Sequence, residues 1–358
     1  MNMIIGAAGT AKNTGKTTTT SAILGELDKK NISVGLTSIG YDGEEVDNIT
    51  GLPKPRLLLK KGTVIATAQK CLQAGTAELQ IIEATGIMTP LGRIIISVVK
   101  EEGTAVIAGP NKSSELSLIL KILIQKTGCE FVMVDGALNR MAPMVETDGI
   151  ILATGAARNN DIDELVKETK ALYELFNLPE ATDAEKSMVA NVNKISIIYD
   201  EKQKHTLGYA ALIDRSTVDE IRDKLEDAPM VYIPAVLPET MLKELNGALG
   251  ELWAKKTLII KDPIKLIVGG NPGGIIDEVR KILDMGGCVK VQKKLPILAV
   301  TVNPFYPLYR YDGNNYEPGY VDKNELKSKM KAAVPIPVVD VVADGPLELV
   351  KSLSIQQK

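Results

Sequence analysis

An apolar run at residues 3–8, MIIGAA, passes directly into Gly9-Thr10-Ala11-Lys12-Asn13-Thr14-Gly15-Lys16-Thr17, and a helical pattern runs from near Lys16 to about Lys29. No other stretch constrains the fold as tightly. A strand that turns into a helix through a glycine-bearing loop lets main-chain N–H groups converge on an anion at the helix N-terminus. A lysine at the end of such a loop reaches the outer phosphates of a nucleotide, and the hydroxyl beside it can hold Mg²⁺. Gly15, Lys16 and Thr17 supply those parts. Gly9, Lys12, Asn13, Thr14, Gly15, Lys16, Thr17 and Thr18 are therefore expected around the nucleotide, with Lys16 acting on the transferred phosphate and Thr17 on the metal.

The rest of the first half fits such a loop. Further apolar or β-branched runs lie at 33–39, 63–66, 94–99, 104–108, 131–134 and 149–153, with helical patterns at 113–126 and 160–175. Continuous rather than alternating apolar runs belong to strands buried on both faces, and helices between them imply a parallel sheet. Residues 1–178 read as one α/β nucleotide-binding domain, a mostly parallel sheet flanked by helices. Residues 178–194 turn polar and read as a junction, so 179–358 is expected to form a second α/β domain that binds a partner or substrate. Its strand-like runs are 195–199, 230–233, 257–260, 264–268, 288–292, 297–301 and 336–342. Its helix candidates are 215–225, 238–254, 273–285 and 323–333. Pro304–Gly313, with one Phe and three Tyr, reads as a packed loop or a contact surface.

Several residues are candidates to assist the loop. The run Phe131-Val132-Met133-Val134 ends in Asp135, which places a carboxylate at the C-terminal edge of the sheet, where it can accept from metal-bound water. Asp42 and Asp47, directly after the second strand, stand where the deviant-Walker P-loop NTPases, which the loop resembles, place a switch I acidic residue; that resemblance implies a carboxylate here near the metal or the attacking group. Lys54, Arg56 and Arg140 could bring positive charge to phosphate. Ser113 or Ser114 is expected to cap the helix beginning there. The segment Thr154–Asn160 lacks an N/TKxD guanine signature, which favours ATP over GTP.

Composition removes other classes. A net charge of −3 offers nothing to nucleic acid, and no run approaches the roughly 18 apolar residues of a membrane span. The three cysteines, Cys71, Cys129 and Cys288, have no CxxC spacing and fit a reducing, cytoplasmic location. A single histidine, His205, in a polar run rules out a multi-histidine metal site. Trp253, at helical spacing with Leu249 and Leu252, reads as core.

Five residues separate Gly9 from Gly15, where the common phosphate loop has four. That longer spacing resembles the GT-x4-GKT loop of dethiobiotin synthetase and its relatives, P-loop NTPases of the deviant-Walker superclass that includes MinD-type ATPases. Lys12–Thr18 is also similar to the KNSGKTT loop of molybdopterin-guanine dinucleotide accessory proteins. In the dethiobiotin synthetase group the strand matching Asp135 ends V-E-G-A-G-G; here Asp135-Gly136-Ala137 is followed by Leu138-Asn139-Arg140. The resemblance therefore implies a Mg²⁺ role for Asp135 but not that group's substrate contacts. It also implies a homodimer, with Lys12 reaching phosphate from its own subunit, from the second or not at all, since Ala11 stands where the K-G-G-x-G-K-T pattern has its lysine. Across Ser38–Glu44, Lys54–Arg56 and Val134–Arg140 the chain resembles the reactivase subunits encoded beside the cobalamin-dependent lysine 5,6-aminomutase. This resemblance implies an ATPase that serves an aminomutase or a companion reactivase subunit in amino-acid fermentation. The loop spacing alone favours the alternative, an ATP-dependent ligase or kinase like dethiobiotin synthetase.

Overall fold

The chain enters the structure through β1 (Met3–Gly9), α1 (Lys16–Lys29) and β2 (Val34–Ser38), as the loop pattern requires. This computed structural model describes residues 2–40, 57–137, 141–310 and 315–353. Next come β3 (Leu57–Leu59), β4 (Val64–Ala68), β5 (Glu78–Thr89), β6 (Gly92–Glu101) and β7 (Gly103–Ala105). They are followed by α2 (Ser113–Gln125), β8 (Phe131–Ala137), β9 (Gly149–Gly155) and α3 (Ile162–Phe176). The middle of the chain holds α4 (Asp183–Met188), β10 (Ser196–Ile198), β11 (Lys204–Thr206), α5 (Arg215–Leu225) and β12 (Met230–Ile233). It continues through α6 (Glu239–Leu249), β13 (Thr257–Ile260), α7 (Ile264–Ile267), α8 (Pro272–Asp284) and β14 (Cys288–Val291). The last part is β15 (Ile297–Asn303), β16 (Phe305–Arg310), β17 (Asn315–Tyr320), α9 (Lys323–Ala333), β18 (Val338–Val339) and α10 (Leu347–Ser352).

A nine-stranded sheet runs in the order β18-β15-β9-β1-β8-β2-β4-β6-β5. From β18 to β4 every neighbouring pair is parallel; β6 and β5 then add antiparallel at one edge. The parallel strands β2, β4 and β9 are buried at every residue, which is why they read as unbroken apolar runs. Helix α1 places Ile23, Leu24 and Leu27 in the core beneath β1, beside Leu349, Val350 and Leu353 of the C-terminal segment. The fold is α/β, with a large, mostly parallel sheet flanked by helices.

The chain divides elsewhere than at the 178/179 junction read from the sequence. One unit is Met1–Val166 together with Ile297–Lys358; the other is Lys167–Pro296. The reason is a pairing between segments far apart in sequence. β15 lies parallel to β9, with Val300 opposite Leu152 and Asn303 opposite Gly155, so the last 60 or so residues return to the first sheet. The second α/β unit is inserted between two neighbouring strands of the first.

In the second unit the sheet order is β11-β10-β12-β13-β14. β12, β13 and β14 are parallel, while β10 runs against both its neighbours. Trp253 is fully buried, and its indole N–H donates to Asn246 Oδ1 at 3.1 Å. Trp253→Ala is expected to cost about 3–5 kcal/mol, since it opens a large cavity and leaves that oxygen unmet. A urea melt that keeps its wild-type midpoint would refute this. Asp262, just after β13, is buried with Oδ1 unpartnered. Burial pushes its carboxyl pKa up, and burial together with Asp262 pushes the Tyr232 hydroxyl up to about 12. A carboxyl raised in the folded state favours folding below its unfolded pKa and opposes it progressively as pH rises through the folded one. Asp262→Asn is therefore expected to flatten the loss of stability as pH rises above the ordinary carboxylate range, as read from urea midpoints across a pH series.

Three local expectations are corrected. Residues 264–268 form the helix α7 rather than a strand, because Pro263 at its start fixes a helical φ and four apolar residues carry no decisive period. Of 104–108, only the start is strand, and it pairs with β3 outside the main sheet. The aromatic stretch after Pro304 is a hairpin, β16 against β17, with Tyr309 and Tyr316 rings edge-on at 5.1 Å.

Candidate phosphate-binding site

The loop leaves β1 at the C-terminal edge of the sheet, between β9 and β8. β9 holds its start. Thr10 N–H donates to the Ala153 carbonyl at 3.0 Å, and Thr10 Oγ1 donates to Thr154 Oγ1 at 2.9 Å, both on β9. Inside the loop Thr14 Oγ1 donates to the Ala11 carbonyl at 3.0 Å. Two residues adopt the left-handed conformation, Asn13 at φ 63° and Gly15 at φ 85°. Glycine does so freely, and asparagine is among the side chains that tolerate it best. The loop therefore coils tightly enough to start α1 at Lys16.

Gly15 caps α1 without a side-chain hydrogen bond, and no acidic residue stands in the first turn. The N–H groups and the partial positive charge at that helix end are left for an external anion. Lys16 projects from the first turn and donates to Asp135 Oδ2 at 2.7 Å; the two side chains are 23% and 19% exposed. β8 delivers Asp135 between Ala7 of β1 and Ser38 of β2, its register partners. The Asp135 main-chain carbonyl accepts from Ile39 N–H at 2.7 Å, which locks the strand end. Asp135 Oδ1 is buried and, among the described residues, has no hydrogen-bond partner.

That last atom is unusual. A buried carboxylate oxygen without a donor costs free energy comparable to a lost charged hydrogen bond, unless something outside the chain meets it. A hard divalent cation or a water bound to one is a fitting occupant, since Mg²⁺ prefers oxygen and is commonly held by one or two carboxylates plus ligand phosphates. Among the described residues no three His, Cys, Asp or Glu side chains cluster for a metal, so a metal here would rely on phosphate and water oxygens as well. The donor set of Asp135 and the Thr17 hydroxyl suits that mode.

Of the expected site residues, the structure brings Lys16 and Asp135 into contact and places Thr17 in the turn beside Lys16. Thr14 is buried, while Lys12 and Thr18 are exposed. Asp42, Asp47, Lys54, Arg56 and Arg140 lie outside the described residues. Ser113 does not cap α2; the cap position is Lys112, and Ser113 Oγ donates to the Ala142 carbonyl instead. His205 lies in β11, with Nε2 3.3 Å from Glu220 Oε1 in the second unit. Cys71 and Cys129 are buried, and burial pushes both thiols up, which makes them poor nucleophiles.

No protein-family model matches this chain, and no curated protein matches it.

Sequence reasoning missed the far side of the loop. β15 brings Asn303 against it, with Asn303 Nδ2 donating to the Asn13 carbonyl at 2.9 Å, and ties itself to α1 through Thr301 Oγ1 and Thr19 Oγ1, 2.9 Å apart and buried. The sequence signal for β15 was an apolar run, which identifies a strand without naming its neighbours. Among the described residues no helix is long and apolar enough to cross a membrane.

Proposed function

We propose that this protein binds ATP with Mg²⁺ through the loop Gly9–Thr17 and hydrolyses it, as a P-loop NTPase of the deviant-Walker superclass. The observation that carries the reading is the Lys16–Asp135 pair at the sheet's C-terminal edge, with Asp135 Oδ1 buried and unmet. In this reading the amides of Asn13, Thr14, Gly15 and Lys16 face the phosphates, and Lys16 exchanges its bond to Asp135 for the outer phosphate oxygens. The Thr17 hydroxyl and, through water, Asp135 would hold Mg²⁺, which would supply charge neutralisation. A water oxygen bonds to the γ-phosphorus as the bond from that phosphorus to the β–γ bridging oxygen breaks; the electron pair of that bond leaves with ADP, and the water's proton passes to an oxygen of the released phosphate. Phosphoryl transfer is mainly positioning and electrostatics, so Lys16 and fixed amides contribute most by offsetting charge on the bridging and γ-oxygens.

The use of that hydrolysis follows the wider resemblance: a reactivase or chaperone-type ATPase acting on a cobalamin-dependent aminomutase, alone or with a companion subunit, in the cytoplasm. Three free cysteines support a reducing compartment. The spacing of Gly9 and Gly15 supports the second reading, a ligase or kinase phosphorylating a small carboxylate. One assay separates them. ATPase activity stimulated by an aminomutase and indifferent to small carboxylic acids supports the first; the reverse pattern supports the second. Failure of the pure protein to bind either ATP or GTP in Mg²⁺ sinks both.

A further inference from the structure

We propose that Asn303, at the end of β15, is a positioning residue for the phosphate loop, holding the Asn13–Thr14 peptide in the orientation that phosphate binding needs. The inference rests on the reading of Gly9–Thr17 as a phosphate site and adds to it a residue from the opposite end of the chain.

The Asn303 carboxamide is fixed at both ends. Its Nδ2 donates to the Asn13 carbonyl at 2.9 Å, and its Oδ1 accepts from Phe305 N–H at 3.2 Å. Flipping the amide would put oxygen against the Asn13 carbonyl and NH₂ against the Phe305 N–H, so only one orientation satisfies both. The Asn303 main chain is fixed as well. Its carbonyl accepts from Ala156 N–H at 2.9 Å, and a Cβ on Gly155 would collide with that carbonyl, so β9 must carry glycine there. On the loop side, a Cβ on Gly15 would lie 3.5 Å from Asn303 Cβ, so this side chain packs against the second left-handed residue too. Thr301, two residues earlier, ties the same strand to Thr19 of α1.

Asn13 and Gly15 both hold a left-handed φ, and for the asparagine this is a strained state that persists only where the surroundings fix the adjoining peptides. In a trans peptide the C=O and the N–H point in opposite directions. Holding the Asn13 carbonyl on Asn303 therefore turns the Thr14 N–H to the opposite side. There it meets no protein acceptor among the described residues. With the peptide rotated, a carbonyl rather than an N–H would face the anion.

The test uses the full chain and a fluorescent ATP analogue with Mg²⁺. Asn303→Asp keeps the size and the acceptor for Phe305 N–H but removes the donor to Asn13. Asn303→Ala removes both bonds without adding charge, and serves if the aspartate variant fails to fold. Either variant, folded by circular dichroism, is expected to weaken nucleotide binding by about tenfold or more. KM should rise by more than kcat falls, because the affected amides already hold phosphate in the ground state. Thr301→Val, which loosens the same strand without touching the loop carbonyl, should lower the melting temperature and leave affinity near wild type. Wild-type binding that both folded Asn303 variants preserve overturns the inference alone. Absence of ATP and GTP binding by the wild-type chain overturns the phosphate reading and this inference with it.

Discussion

Lys16→Ala is expected to raise the dissociation constant for Mg-ATP by about a hundredfold or more and to abolish measurable hydrolysis. Two losses combine. The phosphates lose the full positive charge of the Lys16 ammonium, and a charge-assisted bond of this kind contributes about 1.5–3 kcal/mol before any transition-state effect. Asp135 also loses its cation. Its Oδ2 now receives Lys16 at 2.7 Å and its Oδ1 receives nothing, so the variant holds a mostly buried carboxylate with both oxygens unmet. The nucleotide-free variant should therefore melt below the wild type, by an amount set by about 1–3 kcal/mol. Thermal shift with and without Mg-ATP reads both effects. A variant that still gains wild-type stabilisation from Mg-ATP would refute the placement of the phosphates.

Asp135→Asn separates the metal from the phosphate. The change keeps the shape, removes the negative charge and releases Lys16 from its 2.7 Å partner. Binding of ATP without metal should hold or tighten, because Lys16 no longer has to leave an ion pair before reaching phosphate. The gain in affinity on adding Mg²⁺ should shrink, and hydrolysis should fall by about a hundredfold or more, since charge stabilisation of the transferred phosphoryl group depends on the metal. Opposite signs in the metal-free and metal-bound arms make the result hard to mimic by general destabilisation. Full Mg²⁺-dependent turnover in Asp135→Asn would remove Asp135 from the metal's surroundings.

What could be read ahead of the structure follows from how local each feature is. Lys16 and Asp135 are legible because each belongs to a local pattern: the lysine closes the loop that opens α1, and the acid follows four buried apolar residues of β8. Helix α1 is legible to its ends, from Lys16 to Lys29. β5 is obscured because it forms the sheet edge, with Ile81, Ile82 and Met88 exposed, so its pattern is that of neither a buried nor an alternating strand. The hairpin β16–β17 is obscured by proline: Pro307 and Pro318 stand opposite each other, tolerable in an isolated two-stranded ribbon and unexpected in a sheet interior. Asn303 is invisible to any local reading. Its partner is Asn13, and only the return of β15 to β9 brings them together.

That return sets a timetable for the newborn chain. The loop leaves the ribosome ahead of Asn303, its support, which follows 290 residues later. At typical synthesis rates of 5–20 residues per second the loop waits roughly 15–60 s for that support. The inserted unit, Lys167–Pro296, is complete in sequence before β15 appears. On this ordering a nascent chain acquires its core strands and its inserted unit first and its finished phosphate site last, so a truncated chain lacking β15 would carry every residue of the loop motif without the architecture that shapes it.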